Sequence, residues 1–432
     1  MPDAHDETTS LSALAAKSAK GEVSASEVVA EALDRLDRTE PDVRAWVRVD
    51  RAGAAQAARE IDAVPTGGPL RGIPFGVKDI IDVRGMPTEC GSPLRQDGRV
   101  AASDAPLVAR LRGLGAIPLG KTVTTEFAYF SPGPTRNPHN LAHTPGGSSS
   151  GSAASVAAGV LPLALGSQTA GSLTRPAAYC GVAGFVAPQG GPLDTAGFAG
   201  LSHSLDTVGL LTPTVADLRL VYGTLTDADR PIGPLEPPER MRLAVWSGTE
   251  LDDVAEDMST ALIRTVEHAL ARGAELVEVD WPDRTRRLVE AHTTVMAYEA
   301  ARALSEEAAH PDRLSAPLNE LLAHGRDIPA ADHVRALSLA RRERADMLAL
   351  LTEVDAVLGP AALGPAPRGL EATGSPVLSR PWQLLGLPVV TVPGHRNDDG
   401  MPLGLQLIGH PDRLERLFAL GHAVEQAARA RQ

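Results

Sequence analysis

Residues 145–184 read PGGSSSGSAASVAAGVLPLALGSQTAGSLTRPAAYCGVAG, and the rest of the chain takes its meaning from this stretch. From Asn137 to Gly151 the residues are Pro, Gly and Ser without periodicity, which predicts a loop. Ser152 to Leu165 predicts a helix of small residues, a surface thin enough for neighbouring backbone to come close.

Upstream, the first 60 residues read as helices. Ser24-Ala25-Ser26-Glu27 is a capping box, with Val29, Leu33 and Leu36 following at helical spacing. Gly67-Gly68-Pro69 ends that region, and the apolar run Ile73–Val77 predicts a buried strand. Ala105 to Gly113 predicts a helix and Ala116 to Leu119 a strand. Downstream, a second segment opens after the proline-rich stretch Pro231–Pro238. Arg242–Trp246 and Leu276–Trp281 are strand-like, on either side of a helix from Met258 to Ala271 with Gly273 as its C-cap. Residues 285–350 are helices rich in Ala, Glu and Arg. Strands at Ala356–Leu358, Val389–Val392 and Leu403–Ile408 come next, and a helix from Arg413 to about Ala428 closes the chain. Strands alternating with helices predict an α/β fold: a single mixed β-sheet covered by helices on both faces.

Composition narrows the functional classes. Of 432 residues, 43 % are hydrophobic and 22 % charged, which excludes a disordered chain. The 54 acidic against 41 basic residues give a net charge of −13, which argues against a nucleic-acid or anionic-membrane surface. Aromatics are only 3 %, so Ala, Val and Leu must fill the core, and a site with few large apolar walls is expected. Two cysteines, Cys90 and Cys180, make no disulfide framework or metal spacing. The start, MPDAHDETTS, has no signal-peptide pattern, and no apolar run approaches the roughly 18 residues of a membrane helix. A cytoplasmic protein is expected. Only four lysines occur (Lys17, Lys20, Lys78 and Lys121), so a lysine inside a motif carries weight.

Three motifs compete for the chemistry. Gly115-Ala-Ile-Pro-Leu-Gly120-Lys121-Thr122 is a literal phosphate-loop match. Its strand-like residues, however, lie inside the supposed loop and a helix precedes it, so a strand followed by a turn is expected. Gly147-Ser148-Ser149-Ser150-Gly151 fits the nucleophile-elbow pattern with Ser149 as nucleophile, and Asp355 with His395 or His410 would complete an α/β-hydrolase order. An elbow needs a strand leading into it, and Arg136–Pro145 contains two prolines and polar residues instead.

The third reading uses far more of the chain. Pro145–Ala154 together with Leu163–Gly184 strongly resembles the amidase signature family. Gly68-Pro-Leu-Arg-Gly-Ile-Pro-Phe-Gly-Val-Lys78-Asp79 looks like the family's lysine segment. Asp104–Leu111, Gly120-Lys121-Thr122, Glu126-Phe127-Ala128, Ser204–Gly209 and Gly400–Gln406 also fit, in order, from about residue 68 to 409. The resemblance implies one domain over 1–432. Its parts would be N-terminal helices to about 65, a signature core over about 68–230, a variable helical lobe over about 231–350, and a return to the core sheet over about 351–432.

It also implies an amidase acting through a nucleophilic serine, a second serine with a cis peptide bond, and a lysine. By position these are Ser172, Ser148 and Lys78, with Ser149 and Ser167 in support. The chemistry agrees. A serine hydroxyl needs a base within hydrogen-bond reach, no histidine lies in this block, and a buried lysine favours its neutral amine. Backbone N–H groups of Thr169, Ala170 and Gly171, with that of Ser172, would form the oxyanion hole. No cofactor or metal is implied, since the histidines are neither clustered nor in H-E-x-x-H spacing.

The departures bear on substrate. Many members have Gly where this chain has Ser150 and Ala170, and Asp where it has Gln168; the usual Lys-Pro-Thr is Ala187-Pro188-Gln189 here. Arg175 sits three residues after the nucleophile, as in malonamidase-like small amidases, where the equivalent arginine contacts a substrate carboxylate. Arg175 and Gln168 are therefore the expected substrate-binding residues, and a small polar or carboxylate-bearing amide is the expected partner. The alternatives are neutral aryl or alkyl amides, a component of an amidotransferase complex, and a pseudo-enzyme; a homodimer is left open.

Overall fold

The computed structural model describes residues 10–64, 67–227, 233, 235–277, 279 and 281–430. The segment MPDAHDETTS up to residue 9, part of Pro231–Pro238, and residues 278 and 280 of the expected strand Leu276–Trp281 lie outside the described residues.

Eleven strands form one sheet: β1 (Trp46–Val49), β2 (Pro74–Lys78), β3 (Ile117–Thr122), β4 (Leu163–Gln168), β5 (Ala183–Val186), β6 (Thr207–Thr212), β7 (Arg242–Val245), β8 (Glu275–Val277), β9 (Ala356–Pro360), β10 (Val389–Arg396) and β11 (Pro402–Ile408). Their order is β1-β3-β2-β4-β6-β5-β10-β11-β9-β7-β8. β2 pairs parallel with both β3 and β4, whereas β4 to β6 and β10 to β11 are antiparallel. The sheet is mixed and helices cover both faces, as the alternation of elements predicts. Strands β2, β3 and β4 are buried along their whole length, which explains why they read as apolar runs rather than as alternating patterns.

Several local signals act as expected. The Ser24 hydroxyl accepts from Glu27 N–H while the Glu27 carboxylate accepts from Ser24 N–H, and this box starts helix Ala25–Val43. Gly273 takes a left-handed conformation (φ 83°) just past helix Glu256–Ala271.

Two expectations need correction. The first 60 residues are not all helical, since Trp46–Val49 forms the sheet-edge strand β1. It is too short for its periodicity to stand out. The predicted helix Ser152–Leu165 is a shorter helix, Ser150–Ala157, followed by strand β4. Gly159 at φ 71° and Pro162 break the helix, and Leu163-Ala-Leu165 continues as strand because it pairs with both β2 and β6. The close approach expected of this segment is real: a Cβ at Gly151 would lie 2.2 Å from the Ala45 carbonyl oxygen and 2.4 Å from Val123 N.

Candidate active site

The site forms where the parallel strands β2 and β4 end. Lys78 is the last residue of β2, and Ser167 and Gln168 are the last two of β4. Ligand sites of α/β sheets gather at the carboxyl ends of strands. After β4 the chain turns through residues 169–173 into helix Thr174–Cys180, and the loop that precedes helix Ser150–Ala157 brings Ser148 beside that turn.

Lys78 is fully buried, and its Nζ donates to Ser148 Oγ at 2.7 Å and to Ser167 Oγ at 2.8 Å. Burial pushes the amine down from 10.5 to about 7, against the opposing charge of Asp206. The Gly147–Ser148 peptide bond is cis. Ser148 and Ser172 line one narrow cavity, together with Thr169, Ala170, Gly171 and Arg175. The backbone N–H groups of Ala170, Gly171 and Ser172 donate to no protein acceptor among the described residues. Buried backbone donors almost always find a partner, so three free ones facing a nucleophile can receive a developing oxyanion.

The cavity's other walls are Ala128, Tyr129, Phe130, Leu201, Met296, Thr373 and Pro376. Tyr129 and Phe130 meet edge to face, with ring centroids 4.8 Å apart. The scarcity of aromatics therefore does not leave this site without a large apolar wall, contrary to the expectation from composition. A larger cavity of about 490 Å³ lies near Asp206, between residues 188–195 and the helix Ala330–Glu353, and neither Ser148 nor Ser172 lines it.

Arg175 is buried and lines the cavity. Its Nη2 donates to the Gly147 carbonyl at 2.6 Å and to Thr373 Oγ1 at 3.1 Å. Nε and Nη1 have no partner, and no carboxylate pairs with the guanidinium among the described residues. Burial lowers its pKa to about 10, so it stays a cation at neutral pH.

Gln168 does not line this cavity. Its Oε1 accepts from Leu173 N–H at 3.1 Å and Thr174 N–H at 3.0 Å, and its Nε2 donates to Gln383 Oε1 at 3.0 Å. It braces the turn that carries Ser172 rather than facing a substrate, because a side chain at the strand's end is satisfied by the backbone immediately ahead. Ser149 is likewise turned away: its Oγ donates to the Ser167 carbonyl and accepts from Ser167 N–H, both at 3.3 Å. Asp355 binds Arg416 and Arg242, His395 pairs with Thr265, and His410 caps Asp412. None of these lines the cavity, so the elbow reading has no triad. The phosphate-loop match is strand β3, with Lys121 buried and paired to Asp79 Oδ1 at 2.8 Å.

Two residues to which the sequence assigns no role hold the site. Asp206 Oδ1 accepts from Thr169 Oγ1 at 2.5 Å, while Oδ2 accepts from the N–H groups of Leu201 and Ser202. Burial raises its carboxyl, and these donors oppose that shift. His292, fully buried on helix Pro282–Ala303, donates through Nε2 to the Thr169 carbonyl at 2.8 Å. Asp206 falls inside the matched segment Ser204–Gly209, whereas His292 is a lone histidine in a helical pattern and carries no signal. Among the described residues no group of three or more His, Cys, Asp or Glu is placed to hold a metal ion. No described helix is long and apolar enough to cross a membrane.

The sequence profile of the family described as Amidase matches residues 27–417. The first component of the glutamyl-tRNA(Gln) amidotransferase of Exiguobacterium sp. is 31 % identical over 459 residues, covering 94 % of this chain and 95 % of its own length. The peptide amidase of Stenotrophomonas maltophilia superposes with a TM-score of 0.81 at 28 % identity, over 98 % of each chain. A structure described as a vestigial protein complex that reveals the origins of an s-triazine catabolic enzyme superposes with a TM-score of 0.86 at 30 % identity. It covers 96 % of this chain and 98 % of its own.

Proposed function

Because this chain belongs to the amidase family, we propose that it hydrolyses a small carboxylic amide to acid and ammonia through Ser172, Ser148 and Lys78. The observation that carries the proposal is the buried Lys78 amine 2.7 Å from Ser148 Oγ, in the cavity that Ser172 also lines. As an ammonium, Lys78 donates to both of its serines. As a neutral amine it offers a lone pair, so the Ser148 contact can reverse and carry a proton toward it.

Ser172 Oγ attacks the amide carbon while its proton passes to Ser148 Oγ, and the Ser148 proton passes to Lys78 Nζ. The oxyanion is received by the free N–H groups of residues 170–172. Lys78, now an ammonium, returns a proton through Ser148 to the leaving nitrogen, and the C–N bond breaks to give ammonia and an acyl-enzyme. Water then gives up a proton along the same relay and cleaves the ester, which releases the acid and regenerates Ser172. The scheme needs no cofactor.

Arg175 supports a carboxylate-bearing amide, as in malonamidase-like members. A buried guanidinium with two unpartnered nitrogens beside the nucleophile gains most from a planar anion. The name of the amidotransferase relative favours a second reading, in which the ammonia is passed to a partner protein.

A panel of primary amides, acidic and neutral, scored by ammonia release separates these readings. Wild type should release ammonia, and Ser172→Ala should not. Arg175→Ala should lose acidic substrates by about 10-fold or more relative to neutral ones, the scale of a lost charged hydrogen bond. Equal loss on both classes would remove the carboxylate role. Ammonia release only in the presence of a copurifying protein would move the assignment to the amidotransferase type.

A further inference from the structure

The helix Pro282–Ala303 reaches the reaction centre by two routes. His292 Nε2 donates directly to the Thr169 carbonyl at 2.8 Å, across 123 residues of sequence. Seven residues on, Glu299 Oε2 accepts from Ser202 Oγ at 2.6 Å and from Ser204 N–H at 2.9 Å. Those serines belong to the segment that carries Asp206, and Asp206 accepts from the Thr169 hydroxyl. Thr169 is thus held at its carbonyl by one residue of the helix and at its hydroxyl through a segment that the same helix fastens. Between the two anchors, Met296 forms part of the cavity wall.

We propose that His292 is a positioning residue for the amide hydrolysis described above, orienting the oxyanion hole through the Thr169–Ala170 peptide plane. In a trans peptide the carbonyl and the following N–H point in opposite directions, and this peptide is not among the cis bonds. Fixing the Thr169 carbonyl on His292 therefore aims the Ala170 N–H away from the helix. Ala170 lines the cavity, and its N–H has no protein acceptor among the described residues.

The state of the ring suits the role. Burial, with the nearby Arg380 charge, pushes His292 down to about 3, so the imidazole is neutral across the working range and donates from Nε2. Its Nδ1 is buried without a partner. An unsatisfied polar nitrogen is a cost that leucine would avoid, and the bond to Thr169 is the only one the ring makes among the described residues.

The proposal rests on Ser172 being the nucleophile, so the experiment tests both. kcat and KM are measured on the fastest primary amide of the panel for wild type, Ser172→Ala, His292→Leu and His292→Gln, with thermal unfolding of each. His292→Leu should lose about 10- to 100-fold in kcat, below the loss for deleting a whole oxyanion donor, with KM within about threefold. His292→Gln, whose amide N–H can reach the same carbonyl, should recover most of that loss. If the leucine variant does not fold, His292→Asn, polar but too short to reach, takes its place with the same expected loss. Wild-type kcat in the leucine or asparagine variant, beside an inactive Ser172→Ala, would overturn the positioning role alone. Equal losses in the glutamine and leucine variants, tracking their melting temperatures, would do the same. An active Ser172→Ala would bring down both readings together.

Discussion

Lys78 and Lys121 are both completely buried, at the carboxyl ends of neighbouring parallel strands, yet the structure gives them opposite tasks. The register sets Lys121 beside Val77 and Lys78 beside Thr122, so the two side chains leave the sheet on opposite faces. Lys121 meets a carboxylate, Asp79, and also donates to the Pro87 carbonyl and Thr88 Oγ1. Its charge is matched, and it ties the segment after β2 to β3. Lys78 meets two serine hydroxyls and forms no ion pair among the described residues. Burial alone therefore does not make a base. A buried lysine becomes one where its partners are neutral and can carry a proton.

The contrast is broken most directly by exchanging each lysine for methionine. Lys78→Met should lower kcat by about 10³-fold or more, toward the upper range for a missing general base, without lowering the melting temperature. Lys121→Met should do the reverse. It strands the Asp79 carboxylate, which should cost about 3–5 kcal/mol of stability in urea titration. The double change Lys121→Met with Asp79→Asn should recover much of that, since the uncompensated charge is gone. A stable but inactive Lys121→Met would mean that the two lysines are not divided in this way.

A second test uses pH. The base must be neutral, so kcat/KM of wild type should rise with pH through about 7, the pKa to which burial brings Lys78. Stability moves with the same group. Between about pH 7 and 10.5 the unfolded chain holds the Lys78 proton and the folded one does not, so wild-type stability rises with pH across that window. Lys78→Met should lack this rise, which amounts to on the order of 5 kcal/mol. Parallel stability–pH curves for the two proteins would show that the amine is solvated or paired.

How much of this can be read from the chain depends on the reach of each interaction. The Ser24 capping box, the Gly273 stop and the apolar runs of β2 and β3 act within a few residues, and they are legible. The strand at Leu163–Gln168 is not, because Ala and Gly fit a helix as readily as a strand and the deciding partners are β2 and β6. Ser172, Ser148 and Lys78 are legible only through a resemblance that spans the chain, since a serine and a lysine 94 positions apart have no local pattern. His292 is legible by neither route. Its bond to Thr169 is made across the fold, and no periodicity records it. Gln168 shows the opposite error: its place beside the nucleophile in sequence points to substrate, yet its side chain is spent on the turn ahead of it.

The finest form of the comparison lies among three consecutive serines, where partners again separate otherwise identical groups. Ser148 Oγ accepts from Lys78, Ser149 Oγ contacts only the Ser167 backbone, and Ser150 Oγ donates to the Val123 carbonyl. The Ser149 contacts, both at 3.3 Å, are long for hydroxyl hydrogen bonds. Ser149→Ala should therefore cost no more than about 1 kcal/mol of stability and leave kcat within about threefold, a shift of less than 1 kcal/mol in the barrier. Ser148→Ala, one residue away, should abolish ammonia release. The pair is informative because the nucleophile-elbow reading predicts the reverse order. It makes Ser149 indispensable and Ser172 dispensable, and a dead Ser149→Ala beside an active Ser172→Ala would restore it.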